Sequence, residues 1–178
     1  MTEKLFYITF RTEMGWVGIL ASAKGLLATT LPQPSVSEAR QLLGRRADKA
    51  EWSPHRLADL TERLTSYFNN EKVTFPDELD LSGATPFQGA VWRQTRLIPY
   101  GETRSYQWVA EQLKRPKAAR AVGQALGRNP LLVIVPCHRV VASGGGLGGF
   151  GGGLDMKKRL LRMEGLNPPL SLFFKGGR

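Results

Sequence analysis

The chain has 178 residues, 42% of them hydrophobic, with one cysteine, two histidines and a formal net charge of +10. That length supports a real core in one domain or two small ones. A single cysteine excludes an intrachain disulfide and a cysteine-based zinc site, and with only His55 and His138 an all-protein metal site is not expected.

The first half opens with strand signals. Leu5 to Arg11 alternates and is rich in aromatic and β-branched residues; Gly15 to Ala21 and Gly25 to Leu31 follow across turn signals at Met14-Gly15 and Ala23-Lys24-Gly25. The pattern predicts a small antiparallel meander. A helix is expected from Ser35 or Ser37 to near Gly44, with Glu38 in its first turn. A second is expected over 55–69, where Leu57, Leu60, Leu64 and Phe68 fall at helical spacing. Residues 75–83 read as an acidic connector.

The second half begins near Thr85-Pro86. Helices are expected over 87–97, over 105–113, and over 117–126 with Pro116 in the first turn of the last. The latter two, joined by a tight turn, make a helix-turn-helix candidate. A helical hairpin inside a core would look the same. Leu131 to Val135 is a continuous apolar run that predicts a buried strand ended by Pro136. Eight glycines fall in residues 143–153, and a last helix is expected over 155–164. After Pro168 and Pro169, the end at 171–178 reads as a tail.

Charge is unevenly spread. Residues 1–85 hold 10 Lys+Arg against 11 Asp+Glu, and residues 86–178 hold 15 against 4. The whole basic excess lies in the second half, suited to steering and holding a polyanion by counterion release. A solvated basic surface accounts for the charge equally well. No apolar run approaches the roughly 18–20 residues of a membrane span, and the first ten residues lack a signal-peptide pattern. A soluble, cytoplasmic protein is expected, and a nuclear one if eukaryotic.

Chemistry centres on Cys137. A lone cysteine is more often inert core than nucleophile. Here it follows a proline-punctuated turn and stands beside His138. Adjacent side chains in a strand point to opposite faces, so the two cooperate only if the chain turns or something bridges them. A histidine within reach, directly or through one water, takes the thiol proton and leaves a thiolate. Glu164 is expected at the C-terminal end of the last helix, an unfavourable place for a carboxylate. It reads either as a solvated surface residue or as the group that orients His138 and stabilises its cation.

The segment Val-Pro-Cys-His-Arg-Val at 135–140 resembles the active-site signature of the O6-alkylguanine-DNA alkyltransferases, the methylated-DNA–protein-cysteine methyltransferase family. Further segments resemble that family in the same order: Thr85-Pro86-Phe87-Gln88, Ile98-Pro99-Tyr100-Gly101, Ser105-Tyr106, 117–123, Arg128-Asn129-Pro130, Gly152-Gly153-Leu154 and Glu164-Gly165. The resemblance covers about residues 85–167. It implies an α/β fold: an N-terminal ribonuclease-H-like small sheet with helices over 1–84, and a mainly helical winged helix-turn-helix domain over 85–170 carrying the active site.

The resemblance also implies roles. Cys137 accepts the alkyl group, His138 deprotonates it through a water, Glu164 orients His138, and Asn129 braces the turn. Tyr106 donates to the base ring and crowds the rotating phosphate. Arg120 enters the duplex where the base had been. The carbonyls of Cys137 and Val140 accept from the guanine amine, the amide of Gly151 faces O6, and Lys157 stands near the site. Ala118, Ala119, Ala121 and Ser105 complete the DNA-facing set; small side chains suit close approach to the minor groove. The implied partner is double-stranded DNA bearing O6-alkylguanine, bound by a monomer without cofactor or metal. Many relatives have Ser where this chain has Gly151, and Phe150 stands where some have Tyr. The zinc site of some relatives is ruled out, since residues 1–85 lack cysteine.

The expected function is therefore stoichiometric DNA repair: the base is flipped out and its alkyl group moves irreversibly to Cys137. Two other readings fit parts of the pattern. A DNA-binding regulator or lesion sensor would not need the thiol, and a cysteine hydrolase would turn over.

Overall fold

The computed structural model describes residues 2–167; the tail expected at 171–178 lies outside the described residues. The described residues form two compact units, one of residues up to Gly83 together with Pro130–Ile134, the other of Ala84–Asn129 with the described residues from Val135 on.

The first unit contains β1 (Leu5–Thr12), β2 (Gly15–Ser22), β3 (Leu26–Thr29), α1 (Val36–Leu42), β4 (Glu51–Trp52) and α2 (Ala58–Phe68). The expected meander forms, in the order β3-β2-β1-β4. β1 and β2 pair in unbroken antiparallel register from Leu5↔Ser22 to Thr12↔Gly15. Gly15 is required at the turn: its φ is +130°, and a Cβ there would stand 2.6 Å from the Gln33 carbonyl oxygen. β4 pairs in parallel with β1 over two residues, too short to leave a period in the sequence. Ser35 caps α1 by accepting from the Glu38 amide. α2 starts three residues later than its apolar spacing suggested, because 54–57 form turns. Leu5, Leu20, Leu27, Leu43 and Ala47 form a buried cluster. The acidic connector is pinned to this unit through Asp80, which is buried and accepts from Ser22 Oγ (2.5 Å) and Ser82 Oγ (2.6 Å).

The apolar run 131–135 is buried as expected but is not a strand. The Thr29 amide donates to the Pro130 carbonyl (2.9 Å) and its hydroxyl to the Leu132 carbonyl (2.6 Å). Val133 then takes φ +72°, a left-handed conformation unusual for a β-branched residue, and turns the chain after isolated bridges. Periodicity reports burial here, and the turn at Val133 prevents a ladder.

The second unit contains α3 (Pro86–Thr95), β5 (Arg104–Ser105), α4 (Tyr106–Gln112), α5 (Ala119–Gly127), a 3-10 turn at Cys137–Arg139, β6 (Val140–Val141) and α6 (Leu154–Met163). Thr85 and Gln88 form a reciprocal capping box at the start of α3, with Pro86 at its first position. The Trp92 indole donates to the Ala125 carbonyl (2.9 Å), fastening α3 to α5. α4 and α5 are the helix pair. Pro116 lies in the turn before α5 rather than inside its first turn. Its carbonyl accepts from Gln107 Nε2 (2.8 Å), which ties that turn to α4. β5 and β6 pair in parallel, Arg104 with Val140 and Ser105 with Val141, which brings the start of α4 beside the cysteine turn. The expected α/β architecture is what the chain adopts. Among the described residues no helix is long and apolar enough to cross a membrane.

Candidate active site

Cys137 opens the 3-10 turn Cys137–Arg139. That turn rotates consecutive side chains away from strand alternation, the condition for Cys137 and His138 to act together. Three contacts hold it. The Val140 amide donates to the Cys137 carbonyl. The Arg139 amide donates to the Pro136 carbonyl (2.9 Å). Asn129 Nδ2 reaches the Val135 carbonyl (3.0 Å) and Cys137 Sγ (3.4 Å). Asn129 thus touches both the turn and the sulfur.

The histidine and the carboxylate meet. His138 is fully buried, and its Nε2 is 2.7 Å from Glu164 Oε1. Glu164 lies just past the last residue of α6, where the helix dipole disfavours a carboxylate. The structure compensates with donors. Arg139 places Nε on Oε2 and Nη2 on Oε1, both at 2.9 Å, and the Gly101 amide reaches Oε2 at 3.1 Å. Burial alone would raise the Glu164 pKa, but the hydrogen bonds and charges of His138 and Arg139 hold it well below the carboxylate range.

The thiol and imidazole are tuned apart. Burial pushes the Cys137 pKa above that of an ordinary thiol, opposed by the Asn129 hydrogen bond and the Lys157 charge. Burial pushes the His138 pKa below its ordinary 6.5; Glu164 opposes this, while Arg139 and Lys157 reinforce it. At neutral pH the pair therefore rests as thiol and neutral imidazole. The imidazole is in the form that accepts a proton.

Cys137 opens onto a cavity of about 670 Å³ lined also by Tyr106, Arg120, Ala142 and Phe150. Arg120 is exposed at the start of α5, and Ala119 shares the wall. Ala118 is the N-cap of α5 and Ala121 is half-buried. The Tyr106 hydroxyl faces the Gly149 carbonyl at 3.4 Å. Burial raises its pKa, so the phenol stays protonated and able to donate. Ser105 is fully buried, and its hydroxyl caps α4 by accepting from the Trp108 amide (2.9 Å). Its place is beneath the helix that presents Tyr106. Gly151 is exposed on the cavity wall.

Lys157 is more deeply involved than sequence reasoning suggested. It is fully buried, and its ammonium donates to the carbonyls of Val140 (2.7 Å) and Gly149 (3.0 Å). It thereby ties the glycine-rich loop to the cysteine turn. Burial lowers its pKa to about 8, with the Cys137 charge opposing. Sequence reasoning missed Arg139 and Gly101. No local signal marked Arg139, because the need for a cation follows from the burial of Glu164, which only the fold shows.

A helix-turn-helix unit carrying a cysteine–histidine–carboxylate set matches a known class. Residues 86–166 match the family profile described as 6-O-methylguanine DNA methyltransferase, DNA binding domain. The methylated-DNA–protein-cysteine methyltransferase of Mycolicibacterium paratuberculosis is 52% identical over 120 residues, spanning 67% of this chain and 72% of that protein. The crystal structure of Mycobacterium tuberculosis OGT in complex with DNA is 38% identical with a TM-score of 0.75, covering 94% of this chain and 99% of that one. The O6-methylguanine-DNA methyltransferase of Pyrococcus kodakaraensis is 26% identical with a TM-score of 0.62, covering 91% and 99%. The chain belongs to the methylated-DNA–protein-cysteine methyltransferase family.

Proposed function

We propose that the chain repairs DNA by moving an alkyl group from O6 of guanine onto Cys137. The observation that carries this reading is the placement of a single thiol on a cavity wall shared with Arg120, backed by a buried His138–Glu164 pair 2.7 Å apart.

His138 Nε2 is engaged by Glu164, so proton exchange with the thiol falls to Nδ1, directly or through one water. The thiol S–H bond breaks and the imidazole N–H forms. The thiolate then attacks the alkyl carbon: an S–C bond forms, the C–O6 bond breaks, and its electron pair enters the guanine ring. Guanine leaves well only if that charge is met by donors. Tyr106 and the Gly151 amide supply them, and the Lys157 ammonium holds the carbonyls around the sulfur. Asn129 donates to the sulfur and steadies the turn. The thioether has no good leaving group, so each molecule acts once.

The reacting carbon is stacked inside a duplex, so the base must swing out, at a cost of about a few kcal/mol. Arg120, exposed at the rim, fills the vacancy. Ala118, Ala119 and Ala121 let α5 approach the minor groove, and the basic second half supplies phosphate contacts. The residues from 85 onward form the DNA-binding and transfer domain and those to 84 a supporting one. The protein works as a monomer in the compartment that holds the DNA.

The test is intact-mass analysis after incubation with duplex DNA containing O6-methylguanine. One methyl should appear, on Cys137 and no more than once per chain; no adduct would overturn the reading. Cys137→Ala should abolish transfer and keep DNA binding. Repair that survived in Cys137→Ala would favour a lesion sensor instead.

A further inference from the structure

We propose that Arg139 is a positioning residue for the transfer: by clasping both oxygens of Glu164 it balances the carboxylate's charge, so that His138 rests as a neutral base. This rests on the reading of His138 as the base for Cys137.

The Glu164 side chain has no exposure, and neither does that of His138. A buried carboxylate with imidazole as its sole partner is best satisfied by taking a cation, which turns the ring into imidazolium. An imidazolium cannot accept the thiol proton. Arg139 changes the balance. Its Nε and Nη2 meet Oε2 and Oε1 at 2.9 Å each, the side-on two-bond geometry that a guanidinium provides and an ammonium does not. Its remaining Nη1 donates to the Ile98 carbonyl (2.7 Å), and the Tyr100 ring centroid lies 5.8 Å from its central carbon. The guanidinium is therefore fixed, and Glu164 is already neutralised before His138 takes any proton.

The groups that face His138 agree. Its own turn brings Cys137 and Arg139; α6 and its end bring Lys157 and Glu164. The loop after α3 brings Tyr100 and the Gly101 amide against the same carboxylate. An imidazolium at rest would be a third cation beside Arg139 and Lys157, with a single carboxylate between them. Once Cys137 loses its proton to His138, the new cation has the thiolate as counter-charge. The arrangement favours proton transfer at the moment the thiolate forms and disfavours it before.

The experiment follows the His138 ring directly by NMR titration, with His55 as the internal reference, alongside single-turnover transfer from pH 5.5 to 9. In Arg139→Gln the His138 midpoint should rise by about one unit or more, the scale on which one neighbouring charge acts. The acidic limb of the rate should move with it, so that transfer at a given pH on that limb falls about tenfold and recovers at higher pH. Arg139→Lys keeps the charge and should hold the midpoint near that of the parent protein, even where its poorer geometry slows transfer. Glu164→Gln, which leaves Arg139 uncompensated, should move the midpoint down. It carries the test should Arg139→Gln not fold. The Arg139→Gln, Glu164→Gln double variant should bring the midpoint back below that of Arg139→Gln. A midpoint that does not move in Arg139→Gln, that rises equally in Arg139→Lys, or that rises in Glu164→Gln overturns the proposal. So does a rate loss that is equal at every pH. Failure of the underlying reading looks different: His138→Gln would transfer at the parental rate, whatever the titrations show.

Discussion

Tyr106 is held between two glycines, and the geometry predicts that they are not equivalent. A Cβ added at Gly148 would lie 2.6 Å from the Tyr106 hydroxyl oxygen, 2.7 Å from Cε2 and 3.0 Å from Cζ. A Cβ at Gly123, on the opposite edge of the ring, would meet Cε1 at 3.6 Å and Cδ1 at 3.7 Å, ordinary contact. Gly148 also sits at φ +70°. Alanine there costs about 1–2 kcal/mol in backbone conformation. To restore a carbon–oxygen contact, the phenol must move by roughly 0.8 Å, since contact distances below about 3.4 Å are repulsive. If Tyr106 donates to the leaving base as proposed, a misplacement of that order costs up to about 100-fold in rate. Gly148→Ala should therefore slow single-turnover transfer by about 10- to 100-fold and lower stability by about 1–2 kcal/mol. Gly123→Ala gains about 1 kcal/mol of helix propensity and leaves Tyr106 in place. Both variants should be measured by quenched-flow transfer from a free O6-alkylguanine base, which removes any effect of duplex docking, and by urea denaturation. Gly148→Ala transferring at the parental rate, or Gly123→Ala equally impaired on the free base, would refute the unequal roles of the two glycines.

Arg120→Ala should reduce transfer from duplex DNA far more than transfer from a free base, because the exposed guanidinium lines the cavity without belonging to the buried His138–Glu164 pair. Equal losses on the two substrates would remove its part in flipping. The stability of the protein should fall as pH drops below 6.5. The His138 pKa is lower in the fold than its ordinary 6.5, so the unfolded chain binds that proton first and unfolding gains from acid. Glu164 adds the same sign below its ordinary 4.5, since its carboxylate is held ionised in the fold. Urea midpoints should decline between pH 7.5 and 5.5 and again toward pH 4. His138→Gln should flatten the first step; an unchanged first step would show that His138 does not supply it.

Local features were legible from the amino-acid order because their physics is local. The meander shows as alternation and turn glycines, and the helix pair shows in spacing and breakers. Cys137, His138 and Glu164 were identifiable by residue type, and the charge contrast between the halves by counting. The tertiary structure decided what depends on distant partners. The two-residue pairings β1–β4 and β5–β6 leave no periodic trace. The run 131–135 is apolar because it is buried, and the turn at Val133 decides that it is not a strand. The partners of Glu164 come from two stretches far from the end of α6, Gly101 and the turn that carries His138 and Arg139. No local rule shows that a charge standing beside Cys137 in sequence closes on a carboxylate 25 residues away. That contact arises because a buried carboxylate must find a cation, and only the packed fold determines which one is within reach.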